Sequence, residues 1–285
     1  MPPSGPNYAE PDENNGEARV IGGYTANLTQ VGEKVGSLIV GKLIPPGQPL
    51  YVDPMPLSTL NILGGTLDVK AGPTYSYIFP NDFLVGNNDK GLVNQLAGDV
   101  TVDEDLIIGS GAQNPADGTY HITGGSLNAR TFIMGIGLQP GELIIDGDAN
   151  DISDISAQDL IQYPTSTLNF VFGDAGTPGL SLTGSVTLDG LLTLDLDGLG
   201  TPRDAIVLID NAGASPLFTN FSNAAEGTLY SSLQGTYALT YGYDAQGDLL
   251  NNDVAIVLVP VPSTFWLLMA GLVAFTRRRE IRGAP

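Results

Sequence analysis

The 285-residue chain has no cysteine, one histidine and one tryptophan. Without thiols, neither disulfides nor thiolate zinc sites hold the fold. A single histidine, His121, excludes the two-histidine metal signatures. Basic residues are scarce: 11 Lys and Arg stand against 31 Asp and Glu, a formal net charge of −20. Such a surface repels polyanions, so nucleic-acid binding falls away as a function class. No Gly-x-Ser-x-Gly elbow occurs, and the pairs Gly22-Gly23, Gly64-Gly65 and Gly124-Gly125 lack the remaining elements of a phosphate loop. Helical periodicity is missing upstream of the last 26 residues.

Glycine and proline are abundant instead, at 37 and 20 residues. That is about a fifth of the chain against roughly 12% in average usage, with no collagen period. The excess marks many tight turns. Between them the alternation has period 2, as in Leu60-Asn61-Ile62, Leu67-Asp68-Val69, Val100-Thr101-Val102 and Leu192-Thr193-Leu194. This is the pattern of strands with one buried face.

The strands recur. The unit Leu60 to Val69, with a glycine turn at Gly64-Gly65, is echoed from Val93 to Val102 and from Tyr120 to Ala129. A degenerate fourth copy begins at Leu143 and turns at Gly147. Between these units run Leu38-Ile39-Val40-Gly41, Phe83-Leu84-Val85-Gly86, Leu106-Ile107-Ile108-Gly109 and Phe132-Ile133-Met134-Gly135. Turns recurring at intervals above twenty residues do not suit the hairpins of a sandwich. They predict an all-β fold, a right-handed parallel β-solenoid in which stacked coils share one core. His121 falls where the earlier units carry Asn61 and Asn94, which makes it the occupant of a polar outward slot.

The last 26 residues differ from everything before them. Pro260, Pro262, Ser263 and Thr264 precede an uncharged apolar run, and Arg277, Arg278 and Arg279 follow it. The prolines stop a helix from extending upstream, and the arginines fix the C-terminus on the cytoplasmic side. The segment predicts a short transmembrane helix. This tail resembles the PEP-CTERM sorting signal of Gram-negative bacteria, with Val261 where that family usually has glutamate. The resemblance implies export, transient anchoring in the inner membrane, and an exosortase-type processing enzyme as partner. An exported chain needs an N-terminal signal, and residues 1–20 carry no apolar segment of that kind. The native start is therefore expected upstream, and residues 1–19 are expected to be a disordered leader.

The body, residues 20–259, resembles the secreted β-helical proteins that carry such tails in planctomycetes, with repeats like those of autotransporter passengers. The likeness is strongest at the end, in Tyr237-Ala238-Leu239-Thr240-Tyr241 and Asn252-Asp253-Val254. It implies solenoid repeats over residues 20–200 and a terminal β cap over 201–259. Pro202-Arg203-Asp204 marks the junction, and residues 260–285 form the sorting tail.

Chemistry-bearing residues are few. Asp146, Asp148 and Asn150 are spaced like the opening of a calcium loop, with Asp154 beyond them. Asp151 stands where the sharp-turn glycine belongs and Ala157 where a bidentate glutamate belongs, so any calcium contact is weak. Asp103-Glu104-Asp105 reads as a solvated corner, and Asp195 and Asp197 as outward partners of Leu194 and Leu196. No cofactor or catalytic group is expected. The expected function is that of an exported structural or adhesive protein of the cell surface or extracellular matrix, touching extracellular polysaccharide. The alternatives are a polysaccharide lyase or glycoside hydrolase, or a carbohydrate-binding module, on the same fold. Tyr75, Tyr77 and Phe79, the densest aromatic cluster, read as loop packing.

Overall fold

The computed structural model describes residues 17–41, 57–70, 81–111, 117–147, 152–173, 178–213, 217–245, 247 and 252–260, apart from residues 22, 138 and 218. Nineteen strands form one sheet that nearly closes on itself, and no helix occurs among the described residues. The strands are β1 (Glu17–Val20), β2 (Thr25–Leu28), β3 (Glu33–Val35), β4 (Ser37–Val40), β5 (Ser58–Val69), β6 (Phe83–Asn87), β7 (Gly91–Ser110), β8 (Gly118–Ile122), β9 (Gly125–Ile136) and β10 (Gly141–Asp146). They continue with β11 (Ile152–Gln162), β12 (Thr167–Val171), β13 (Leu180–Leu182), β14 (Val186–Leu188), β15 (Leu191–Asp195), β16 (Ala205–Asn211), β17 (Leu229–Ser232), β18 (Gly235–Tyr243) and β19 (Asp253–Leu258).

From β1 to β16 every named ladder is parallel, and most residues pair with one 23 to 34 positions further along, the exceptions being β1 with β4 (20 positions) and β4 with β6 (45 positions). Three rows result. The first runs β2, β5, β7, β8, β10, β12, β15. The second runs β3, β5, β7, β9, β11, β13, β16. The third runs β1, β4, β6, β7, β9, β11, β14. Strands β5, β9 and β11 belong to two rows each, and the 20-residue β7 to all three, because they continue through bends.

Alternation decides what each row turns inward. In the first row Leu60, Val93, Tyr120, Leu143, Leu168 and Leu192 are register partners and all buried. In the third, Leu38, Phe83, Leu106, Phe132, Leu160 and Val186 do the same. One strand cannot bury its apolar residues alone, and its parallel neighbours in the row cover them. The turn glycines stack as well. Gly65, Gly98 and Gly125 all have positive φ, and a Cβ on Gly125 would overlap the Gly98 carbonyl oxygen. Only glycine satisfies both the conformation and the approach there.

The core holds some polar groups, and one set of them is tied through Gln95 to backbone. The Tyr120 hydroxyl donates to Gln95 Oε1 at 2.7 Å, and Gln95 Nε2 donates to the carbonyls of Gly98 and Ser126 at 2.9 and 2.8 Å. Full burial pushes the Tyr120 phenol far above its ordinary pKa.

Pairing changes sense at β16, which is parallel to β13 on one side and antiparallel to β19 on the other. Strands β19, β18 and β17 follow as an antiparallel run. Buried Asp253 locks this end: its carboxylate accepts from the amides of Asn211 and Ala245, both at 2.8 Å. Asn252 Nδ2 donates to the Gly213 carbonyl at 2.5 Å. The Tyr241 hydroxyl donates to the Ala224 carbonyl and accepts from the Phe221 amide at 3.1 Å. Desolvation, outweighing that amide, pushes its phenol up to about 12. Strand β15 ends at Asp195, and the Asp197 amide donates back to the Asp195 carboxylate at 3.1 Å. Asp195 thus closes the strand and Asp197 lies in the turn after it, both exposed as the alternation with Leu194 and Leu196 suggests.

The expected transmembrane helix falls in residues 261–285, outside the described residues. Among the described residues no helix is long and apolar enough to cross a membrane.

Candidate functional site

The three rows carry different chemistry on the face away from the main core. The third row presents aliphatic side chains, with Ile39, Leu84 and Ile107 in one register line and all buried, packed with Ile133. The second row presents charges, hydroxyls and an amide, including Lys34, Asp68, Asp99, Thr101 and Asn128. Here Ser126 Oγ donates to Asp99 at 2.6 Å and Asn128 Nδ2 to Ser156 Oγ at 2.9 Å.

The first row presents amides and hydroxyls. Asn27, Asn61, Asn94 and His121 are successive register partners, as are Thr25, Thr59, Leu92 and Thr119 two residues earlier. Asn61 Nδ2 donates to Asn27 Oδ1 at 2.8 Å, and Asn94 Nδ2 donates to Asn61 Oδ1 at 2.9 Å. Parallel strands about 4.8 Å apart suit this continuous amide ladder, because identical side chains meet at hydrogen-bonding distance. Beside it lie Leu63 and Leu96, each 43% exposed, two residues beyond Asn61 and Asn94. Across β2, β8 and the matching parts of β5 and β7, this outward strip carries no carboxylate, although the whole chain has a net charge of −20.

His121 occupies the polar slot equivalent to Asn61 and Asn94. Its Nε2 lies 3.3 Å from Asp146 Oδ2, at the end of β10. No sequence pattern pairs the two, because their contact depends on which circuits become neighbours. Asp154 stands on the second row, exposed, where Ser156 Oγ donates to it at 3.3 Å. Asp148 and Asn150 lie outside the described residues. The four residues of the calcium reading are therefore split between two rows where they can be located. Among the described residues no group of three or more His, Asp and Glu is arranged to hold a metal.

The charged corner is more structured than a solvated turn. Arg130 pairs with Glu104 and, at 3.4 Å, with Asp105. Asp82 lies beneath them, 7% exposed, and accepts from the Asp105 amide at 3.2 Å. Burial, reinforced by Asp105 and Glu104 and opposed by that amide and Arg130, raises its pKa to about 6. Nothing in the local pattern points to Asp82, whose burial depends on Glu104 and Asp105 one circuit later.

Of the sorting residues, Pro260 is exposed just beyond β19. Pro262, Ser263, Thr264, Arg277, Arg278 and Arg279 lie outside the described residues, as do Tyr75, Tyr77 and Phe79. The amide ladder is half legible in the sequence: the repeat aligns Asn61 with Asn94 and leaves Asn27 out. The signal that would include it is the recurrence of Thr-x-Asn at Thr25-Asn27, Thr59-Asn61 and Thr167-Asn169. Comparison with family models, curated proteins and solved structures finds no match to the chain.

Proposed function

We infer that this chain is an exported structural or adhesive protein of the cell surface or extracellular matrix. Its body is a right-handed parallel β-solenoid closed by a C-terminal β cap, and its tail is a PEP-CTERM-like sorting signal read by an exosortase-type enzyme. The observation that carries the reading is the succession of parallel pairings from β1 to β16, whose register shifts only at local irregularities within β5, β7 and β11. That arrangement suits a rigid rod whose outward side chains are displayed at a fixed repeat. Right-handedness follows from the rule that about 98% of parallel crossovers take that hand. The cap covers an end whose backbone would otherwise invite pairing with another chain.

The residues point to display and not to turnover. The outward polar groups are aligned by bonds to neighbours one repeat away, as in the Asn27, Asn61 and Asn94 ladder. Sorting rests on Pro260, Pro262 and the arginines at 277–279. Deleting residues 260–285 should leave the protein inside or misplaced, as followed by surface labelling and cell fractionation in a PEP-CTERM-sorting host. Unchanged delivery of the shortened chain to the surface would overturn the sorting reading.

A further inference from the structure

The amide ladder has hydrogen-bonding capacity that its internal bonds do not use. A primary amide has two N–H groups and two acceptor lone pairs. Asn61 donates once to Asn27 and accepts once from Asn94. One N–H and one lone pair of the same amide remain for a partner outside the sheet. Neighbouring circuits repeat this provision about every 4.8 Å, and each bond in the chain polarises the next.

The margins fit one ligand chemistry. Thr59 stands two residues before Asn61 and Leu63 two after it, so hydroxyl, amide and exposed aliphatic group line up across the strand. The next circuit repeats amide and aliphatic group as Asn94 and Leu96. A sugar unit offers the complement: hydroxyls that both donate and accept, and an apolar C–H face. The strip is also neutral on a molecule of net charge −20, which disfavours anionic polymers. We propose that the outward face of the first row from β2 to β7, centred on Asn27, Asn61 and Asn94 and ending before the carboxylates Glu142 and Asp146 of β10, binds a neutral linear polysaccharide lying along the direction in which successive repeats follow one another. Many weak contacts at a fixed repeat sum to a usable affinity for a long chain and to very little for a single sugar. The proposal rests on the scaffold reading and gives it a ligand class and a location.

The test is affinity electrophoresis of the full chain in gels containing β-1,4-glucan, β-1,3-glucan, β-1,4-mannan or dextran, with polygalacturonate as the acidic comparison. Retardation is expected in at least one neutral gel, unchanged between low and moderate salt, and absent in polygalacturonate. Asn61→Ala with Asn94→Ala should weaken it by about tenfold or more. Leu63→Ser with Leu96→Ser, which changes only exposed side chains, should weaken it also and guards against a ladder variant that fails to fold. Asp68→Asn on the second row should leave it unchanged. The proposal is overturned by retardation in no neutral gel, by retardation in polygalacturonate alone, or by full retardation of both variant pairs. It is equally overturned if the variants alter self-association on a sizing column and not migration in glycan. Each of these outcomes leaves surface delivery through residues 260–285 untouched, so failure of the face and failure of the sorting reading are told apart.

Discussion

Asp82 is held in a place that favours its protonated form. Its side chain is buried under the corner formed by Glu104, Asp105 and Arg130, and its pKa rises from 3.8 to about 6. The folded state therefore binds this proton more tightly than the unfolded chain. The associated stability is fully present below about pH 4, falls as pH rises towards 6, and stays lost above that. Asp82→Asn keeps an oxygen for the Asp105 amide and removes the ionisation. The variant should gain about 1–3 kcal/mol over the parent at pH 7.5 and nothing at pH 3.5, as read from urea melts at both values. A gain of equal size at both would assign the effect to packing. Residues 103–105 are visible in the sequence as a charged corner, but that Asp82 lies beneath them is not.

Among the elements, the bends between the first and second rows are tightly specified. Gly98 and Gly125 combine a left-handed backbone with a carbonyl of the preceding circuit pressed against the α-carbon. Gly227, in the C-terminal region, shares the positive φ, but a Cβ placed there would meet nothing within 4 Å. The pair separates conformation from crowding. Gly227→Ala should cost about 1 kcal/mol, the backbone strain alone, and Gly125→Ala about 3 kcal/mol or more, since a backbone atom must move. Denaturant melts of both variants compare them. Equal losses would show that the circuits are less closely stacked than the Gly98 to Gly125 approach requires. These bends are legible because glycine recurrence reports on local conformation. That β5 and β7 run through them as continuous strands is not, since continuity depends on pairing partners.

At the scale of the whole molecule, charge acts against the rows. The described ion pairs, Lys70 with Asp68, Lys90 with Asp117 and Arg130 with its two partners, involve exposed basic groups. Such pairs contribute about 0–1 kcal/mol each, too little to offset the mutual repulsion of a chain at −20. Raising sodium chloride from about 20 mM to about 500 mM shortens the screening length to roughly 4 Å. The melting temperature should rise by about 3 °C or more, measured by scanning calorimetry at pH 7.5. A constant or falling value would mean that the acidic groups do not oppose the fold.

Composition and periodicity by themselves determined that the chain is all-β, where its glycine bends recur, and that Asn61, Asn94 and His121 occupy equivalent slots. Each of these follows from local physics: side chains alternate along a strand, and only glycine enters certain backbone conformations without strain. The tertiary structure alone decided which residues meet. It set His121 beside Asp146, parted Asp146 from Asp154, buried Asp82 beneath its acidic neighbours, and joined Asn27 to the amide ladder. Those contacts arise between circuits more than twenty residues apart, and their register depends on how many residues each intervening bend takes up, a quantity that no local pattern records.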